Sequence, residues 1–339
     1  MLNAPFSSLA EFKKLLMKQP NSNLEIKNQA SERNNQLTKP PGSLGRLEEL
    51  AIWYSSWRGE VAPKLRFPQI VVFAGNHGVT TQGISAFPSE VTQQMVMNFQ
   101  HGGAAINQLC KVFGVKLNVI ALDLDNPTAD LTTGPAMSEA ECVKALTIGW
   151  NAVDKSTDLF VAGEMGIGNT TSAAAISYAL YGGAASDWVG RGTGIDDIGL
   201  EKKAQVVATS LISNPTSITN GIEALRCLGG RELAAMAGSI ASARAKSIPV
   251  ILDGFICSAA AACLENTISG SLDHCVAGHE SNENAHRALL GYLKKEPILT
   301  LGMRLGEASG GALAIAVLQG ALACHSGMAT FAEAGVSEG

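Results

Sequence analysis

Apolar positions along the chain follow two different rhythms. Residues 8–19 (SLAEFKKLLMKQ) carry apolar side chains at helical spacing and stop before Pro20, and residues 44–57 give a second amphipathic helix. From about residue 69 the texture changes to short apolar runs that each end in Gly, Asp, His or Glu: QIVVFAGNHG (69–78), LNVIALDLD (117–125), DLFVAGEMG (158–166), DWVGRG (187–192), PVILDGF (249–255) and DHCVAGHES (273–281). These runs are too short for buried helices and lack polar alternation, the pattern of parallel strands covered on both faces. Ala-rich stretches of helical pattern separate them: TTSAAAISYAL (170–180), RELAAMAGSIASARA (231–245) and SAAAACLENTI (258–268). Strands alternating with helices predict right-handed crossovers and a doubly wound α/β sheet. Ligands of such sheets sit at the carboxyl ends of the strands, where this chain places its glycines and polar residues. No linker divides the sheet region, and the two chain ends are free to form a helical appendage beside it.

Composition narrows the partners. The net charge is -5, with 25 Lys plus Arg and no basic run, so nothing favours nucleic acid or an anionic membrane surface. At 46% hydrophobic residues the 339-residue chain can bury a large core. The seven cysteines lack CxxC spacing and read as reduced thiols, and the N-terminus has no basic segment followed by an apolar one, so a cytoplasmic protein is expected.

Five Gly-containing polar turns carry the candidate chemistry. Gly163–Thr171 follows a strand and opens a helix, so its backbone N–H groups, including those at Gly166 and Asn169, converge where a phosphate is favoured. The spacing is not GxGxxG, and taken alone this is equally a tight turn capped by Asn169 or Thr170. Gly190–Gly194, with Gly192 at its centre, precedes Lys202 and Lys203, of which one lysine can neutralise a phosphate while a solvated helix face accounts for the other. Asp253–Gly254 and Gly278–Ser281 end two further strands. His77 and His279 show no metal-ligand spacing, Asp196 and Asp197 do not precede a TG turn, and no essential metal or cofactor is expected. Finally, Met303–Gly311 places the carboxylate of Glu307 in a Gly-rich turn ahead of the helix ALAIAVLQGALA, where a glutamate is ordinarily a dipole partner. Together the turns fit a phosphorylated substrate and one catalytic carboxylate.

Over most of its length the chain resembles the nicotinate-nucleotide:dimethylbenzimidazole phosphoribosyltransferases of cobalamin assembly. The resemblance rests on Lys39–Glu48 (KPPGSLGRLE), His77-Gly78-Val79 leading to Pro88–Thr92, Gly163–Thr171, Leu252–Phe255 and Arg304–Glu307, in the family's order. It implies a Rossmann-like parallel sheet with helices on both faces over residues 60–310, and a small helical domain made of 1–59 with 311–339. It also implies a dimer, either of identical chains or with a paralogous subunit. The implied reaction moves the phosphoribosyl group of nicotinate mononucleotide to an aromatic lower-ligand base. Glu307 maps to the family's general base and Glu164 beside the base, while Gly192, Lys203, Asp253, Gly254 and Ser281 map to nucleotide-binding positions. Nicotinate leaves from a cationic ring nitrogen, so departure relieves charge and a carboxylate accepting the nucleophile's proton is the main chemical demand.

Departures from the family pattern bear on the acceptor. Asn76 replaces the usual Asp before HGV, and Phe87, Met95 and Met165 replace more polar or smaller base-pocket residues. An apolar pocket raises a phenol or p-cresol, used by some relatives, to parity with a benzimidazole. A weakly active subunit that stabilises a related partner is the alternative from another class. A dinucleotide oxidoreductase is disfavoured by the missing fingerprint.

Overall fold

The computed structural model describes residues 4–192 and 194–337. One six-stranded sheet organises it: β1 (Pro68–Ala74), β2 (Lys116–Ala121), β3 (Leu159–Met165), β4 (Val250–Leu252), β5 (Cys275–His279) and β6 (Pro297–Leu299). The spatial order is β2-β1-β3-β4-β5-β6 and every pairing is parallel. The chain leaves β1 toward β2, then crosses back to β3, so the order reverses between β1 and β3. In open α/β sheets that crevice is where ligands bind.

Both faces of the central strands β1, β3 and β4 are buried, which explains their unbroken apolar runs. Along β1, Val71 and Phe73 join one core with Phe160, Ala162, Leu233 and Leu252. Their neighbours Ile70 and Val72 join another with Val161, Ile251, Ile315 and Leu318. The Ala-rich helices Asn169–Tyr181, Arg231–Ala245 and Phe255–Thr267 cover the first face, and Ser309–Gly327 covers the second. Small side chains let helix and strand backbones approach closely over these contacts. Ser309–Gly327 is the one helix among the described residues long and apolar enough to cross a membrane, but half of it is buried inside the protein as a core helix.

Two features of the sheet differ from the sequence expectation. DWVGRG is not a strand: Ala185–Trp188 forms a short helix and the chain then turns through Gly190 and Arg191. The sixth strand is instead Pro297–Leu299, three residues at the edge, where a proline donates no hydrogen bond and needs none.

The chain ends meet. Arg33 donates to the carbonyls of His325 and Met328, Thr38 N–H donates to Ala329, and Leu37 bridges to Thr330. The KPPGSLGRLE segment is a staple within this region. Lys39 Nζ lies 2.9 Å from Glu48, which also accepts from Asn34 and from Leu44 N–H. Burial raises the Glu48 carboxyl, but these bonds outweigh it and hold it at about 2. The first helix, Leu9–Leu16, packs elsewhere: Leu9, Phe12 and Leu16 enter the opposite core.

Candidate functional site

Strand register assembles the site. Ala162 is level with Leu252, and Leu252 with Ala277, so Asp253 leaves the sheet at the end of β4 beside Gly163 of β3 and Gly278 of β5. Glu164, Asp253 and His279 therefore converge at one edge, where a cavity opens that is also lined by Glu307 from the loop after β6.

The Glu307 loop is held by strained backbone and by Asp253. Gly306, Glu307 and Ala308 all adopt left-handed φ, at 78°, 59° and 64°. Only Gly306 does so without steric penalty, and a Cβ there would also run into the Glu164 carboxyl. Non-glycine residues in this region cost of order 1 kcal/mol or more and persist where the surroundings dictate them. Here the Asp253 carboxylate dictates them, accepting from Ala308 N–H at 3.1 Å and Gly311 N–H at 2.8 Å. Asp253 thus neutralises the start of the helix and fixes the loop that carries Glu307.

Two carboxyls in the cavity are pushed toward neutrality. Burial, with the negative Asp253 beside it, raises Glu307 to about 7. Burial and Asp253 likewise push Glu164 up to about 8, although Asn169 donates to it, and the charges of Glu232 and Glu307 add to the rise. At neutral pH Glu164 is largely protonated and Glu307 is divided between its two forms, so one of the pair can accept a proton.

At the other end of the cavity Gly192 N–H donates to Glu283 and Gly192 O accepts from Arg304, which together hold the turn against the wall. Behind it lies Lys203, whose Nζ donates to Thr170 Oγ1 at 2.7 Å and to Gly190 O at 3.1 Å. Burial lowers Lys203 to about 8, partly offset by Glu283.

Most residues singled out from the sequence come together here. Phe87, Glu164, Met165, Gly166, Asn169, Gly192, Asp253, Gly254, Ser281 and Glu307 line one cavity. Lys203 stands one layer back, reaching the wall through Thr170. Met95 does not line the cavity: on the helix Glu90–His101 it packs against the apolar cluster of Ile70 and Val72, so its side chain serves the core rather than a pocket. Lys202 is exposed, in contrast to Lys203.

Sequence reasoning missed Glu232, fully buried on the helix Arg231–Ala245. Its Oε1 lies 2.5 Å from His77 Nε2, and Ser172 Oγ is 3.0 Å from His77 Nδ1. This group sits beneath the β1 and β3 turns, where Gly75 and Gly166 pack on the Glu232 carboxyl. Nothing in the run RELAAM distinguishes this Glu from a solvated one. Asn76, also buried, donates to Leu124 O at 3.0 Å, a bond that an ionised Asp lacks the proton to make.

The profile of a family described as Phosphoribosyltransferase matches residues 19–336. The chain is 62% identical over 333 residues to the nicotinate-nucleotide–dimethylbenzimidazole phosphoribosyltransferase of Ruegeria pomeroyi, covering 98% of both chains. It is 64% identical over 310 residues to the protein of the same name from Jannaschia sp., covering 91% of this chain and 92% of that one. Among solved structures, the nicotinate-nucleotide–dimethylbenzimidazole phosphoribosyltransferase of Thermus thermophilus superposes with a TM-score of 0.87 at 39% identity, covering 94% of this chain and all of that one. With a matching profile over nearly the whole chain and relatives this similar from end to end, the chain belongs to the nicotinate-nucleotide–dimethylbenzimidazole phosphoribosyltransferase family.

Proposed function

We propose that this enzyme transfers the 5-phosphoribosyl group from nicotinate mononucleotide to an aromatic lower-ligand base of a cobamide, releasing nicotinate, with Glu307 as general base. The observation that carries the reading is the placement of Glu307 on a strained loop inside the cavity, its carboxyl held near neutrality beside Glu164. The bond from the ribose anomeric carbon to the pyridinium nitrogen breaks and its electron pair neutralises that nitrogen. The incoming base forms a new bond on the opposite face, inverting the centre, and gives its proton to the Glu307 carboxylate. Asp253, Gly254, Ser281, Gly192 and Lys203 hold the nucleotide, and Lys203 acts as a point charge on its phosphate. Phe87 and Met165 form an apolar wall for the acceptor, which favours a compact ring and supports a phenol beside dimethylbenzimidazole. The enzyme works in the cytoplasm as a dimer, of identical chains or with a related one; its free, mostly buried thiols suit a reducing compartment.

Purified protein incubated with nicotinate mononucleotide and a panel of benzimidazoles and phenols, with products weighed by mass spectrometry, tests both parts. An α-ribotide and nicotinate in equal amounts are expected. If no acceptor yields a ribotide, alone or with a co-encoded relative, the transfer reading fails. If benzimidazoles alone react, the phenolic part fails.

A further inference from the structure

His279 ends β5 and is only 2% exposed, yet among the described residues neither of its ring nitrogens has a hydrogen-bond partner. The other buried histidines do better. His77 is bonded through both nitrogens to Glu232 and Ser172, and His286 through both to Ser281 N–H and Ser258. His274 and His325 each reach a backbone carbonyl. Buried polar atoms in native proteins are nearly always partnered, so a polar group with none points to something outside the protein.

Packing alone fixes the ring. Its flat side lies on Gly310, where any Cβ would overlap it, and Nε2 faces Gly254, where a Cβ would stand 3.4 Å away. The His286 ring meets it edge-on at 6.2 Å. These contacts hold the imidazole at the cavity wall it shares with Asp253, Gly254 and Ser281. His279 Nε2 and Asp253 Oδ1 are 3.7 Å apart, too far for a direct bond. A gap of that size suits a single hydroxyl oxygen touching both, accepting from the imidazole and donating to the carboxylate. A phosphate suits it poorly, because the Asp253 charge repels an anion.

We infer that His279 is a substrate-contacting residue, hydrogen-bonding through Nε2 to a ribose hydroxyl of the phosphoribosyl donor in concert with Asp253. The inference rests on the transfer reading for the identity of that donor, and the test keeps the two apart by measuring binding, which needs no acceptor.

Calorimetry gives the dissociation constants of nicotinate mononucleotide and its 2′-deoxy and 3′-deoxy analogues for wild type, His279→Phe and His279→Asn. The phenylalanine keeps the ring's shape without its nitrogens, and the asparagine restores an N–H donor. Losing one buried hydrogen bond weakens binding on the order of 10-fold or somewhat more. Wild type should lose that factor with one deoxy analogue. His279→Phe should lose it with the mononucleotide but nothing further with the same analogue, and His279→Asn should recover part. Equal weakening of all three ligands by His279→Phe, or no weakening, overturns the inference, as does wild type that fails to bind the mononucleotide. If His279→Phe does not fold, His279→Asn carries the comparison, and it must weaken the mononucleotide more than the responsive analogue. Should the binding pattern hold while no acceptor yields a ribotide, His279 keeps its role and only the transfer reading falls.

Discussion

Replacing Glu307 by Gln should lower activity and raise stability together. Gln keeps the shape and is as ill-suited as Glu to the left-handed φ of 59°, so backbone strain cancels in the comparison. Burial and the neighbouring Asp253 raise the carboxyl from the ordinary 4.5 to about 7, so between those values the folded state holds a proton that the unfolded chain releases. That contribution to stability is complete below about pH 4.5 and is lost as pH rises through about 7. At about 1.4 kcal/mol per pH unit the loss is about 3 kcal/mol. Water at the cavity mouth screens part of it, leaving about 1 to 3 kcal/mol. Glu307→Gln has no such carboxyl, so urea unfolding should show it more stable than wild type by about 1 to 3 kcal/mol at pH 8.5 and nearly equal at pH 4.5. Turnover should fall by about two to four orders of magnitude, the usual worth of a positioned base, and wild-type turnover should rise with pH around 7 as the carboxylate forms. A loss under about tenfold refutes the chemical role. A stability difference that does not grow with pH refutes the electrostatic account of the site.

Three further perturbations probe its other parts. Lys203→Ala should weaken nicotinate mononucleotide more than its dephosphorylated riboside while Lys202→Ala does neither; wild-type affinity should also decline above about pH 8, as the lysine ammonium loses its proton, and equal losses for both ligands would remove the lysine from the phosphate. Phe87→Ser with Met165→Leu should shift kcat/KM toward dimethylbenzimidazole over phenol, whereas Met95→Gln alone should leave the ratio unchanged, because Met95 belongs to the core. His77→Ala strips the buried Glu232 of its 2.5 Å partner and should cost about 3 to 5 kcal/mol in urea unfolding, with a cost under about 1 kcal/mol counting against a supporting role for the pair.

The sequence made the strands before Gly75, Gly166, Asp253 and Glu280 legible because each is buried on both faces and then breaks into polar residues. It misled at DWVGRG, where Trp188 and Val189 are apolar because they fill a core beneath a turn and not because they pair. It was silent at Pro297–Leu299, since an edge strand of three residues carries no pattern. Glu307, Glu164 and Asp253 stood out through the turns that carry them. What could not be read was how they act on one another. That Asp253 bonds the backbone after Glu307, and that Glu232 lies beneath Gly166, follows from strand order and register, which link residues far apart in sequence. Met95 and Met165 looked alike along the chain and both pack against the cluster of Ile70 and Val72, but only Met165, at the end of β3, also lines the cavity.

The strand order also bears on how the molecule is made. After β1 and β2, β3 joins the free edge of β1, and β4, β5 and β6 each join the strand made just before. The sheet can therefore lengthen in the direction of synthesis, with each partly built form presenting an apolar edge that the next strand covers. The wait is longest after β3, because five helices and a 3₁₀ turn separate Met165 from Val250. Glu307 comes after all six strands, and the helix that seals its loop onto Asp253 comes later still. The growing chain thus has no complete cavity until nearly its whole length is available, and a ribosome that stops short of Ser309–Gly327 releases a sheet with its second face only partly covered and Glu307 unmoored.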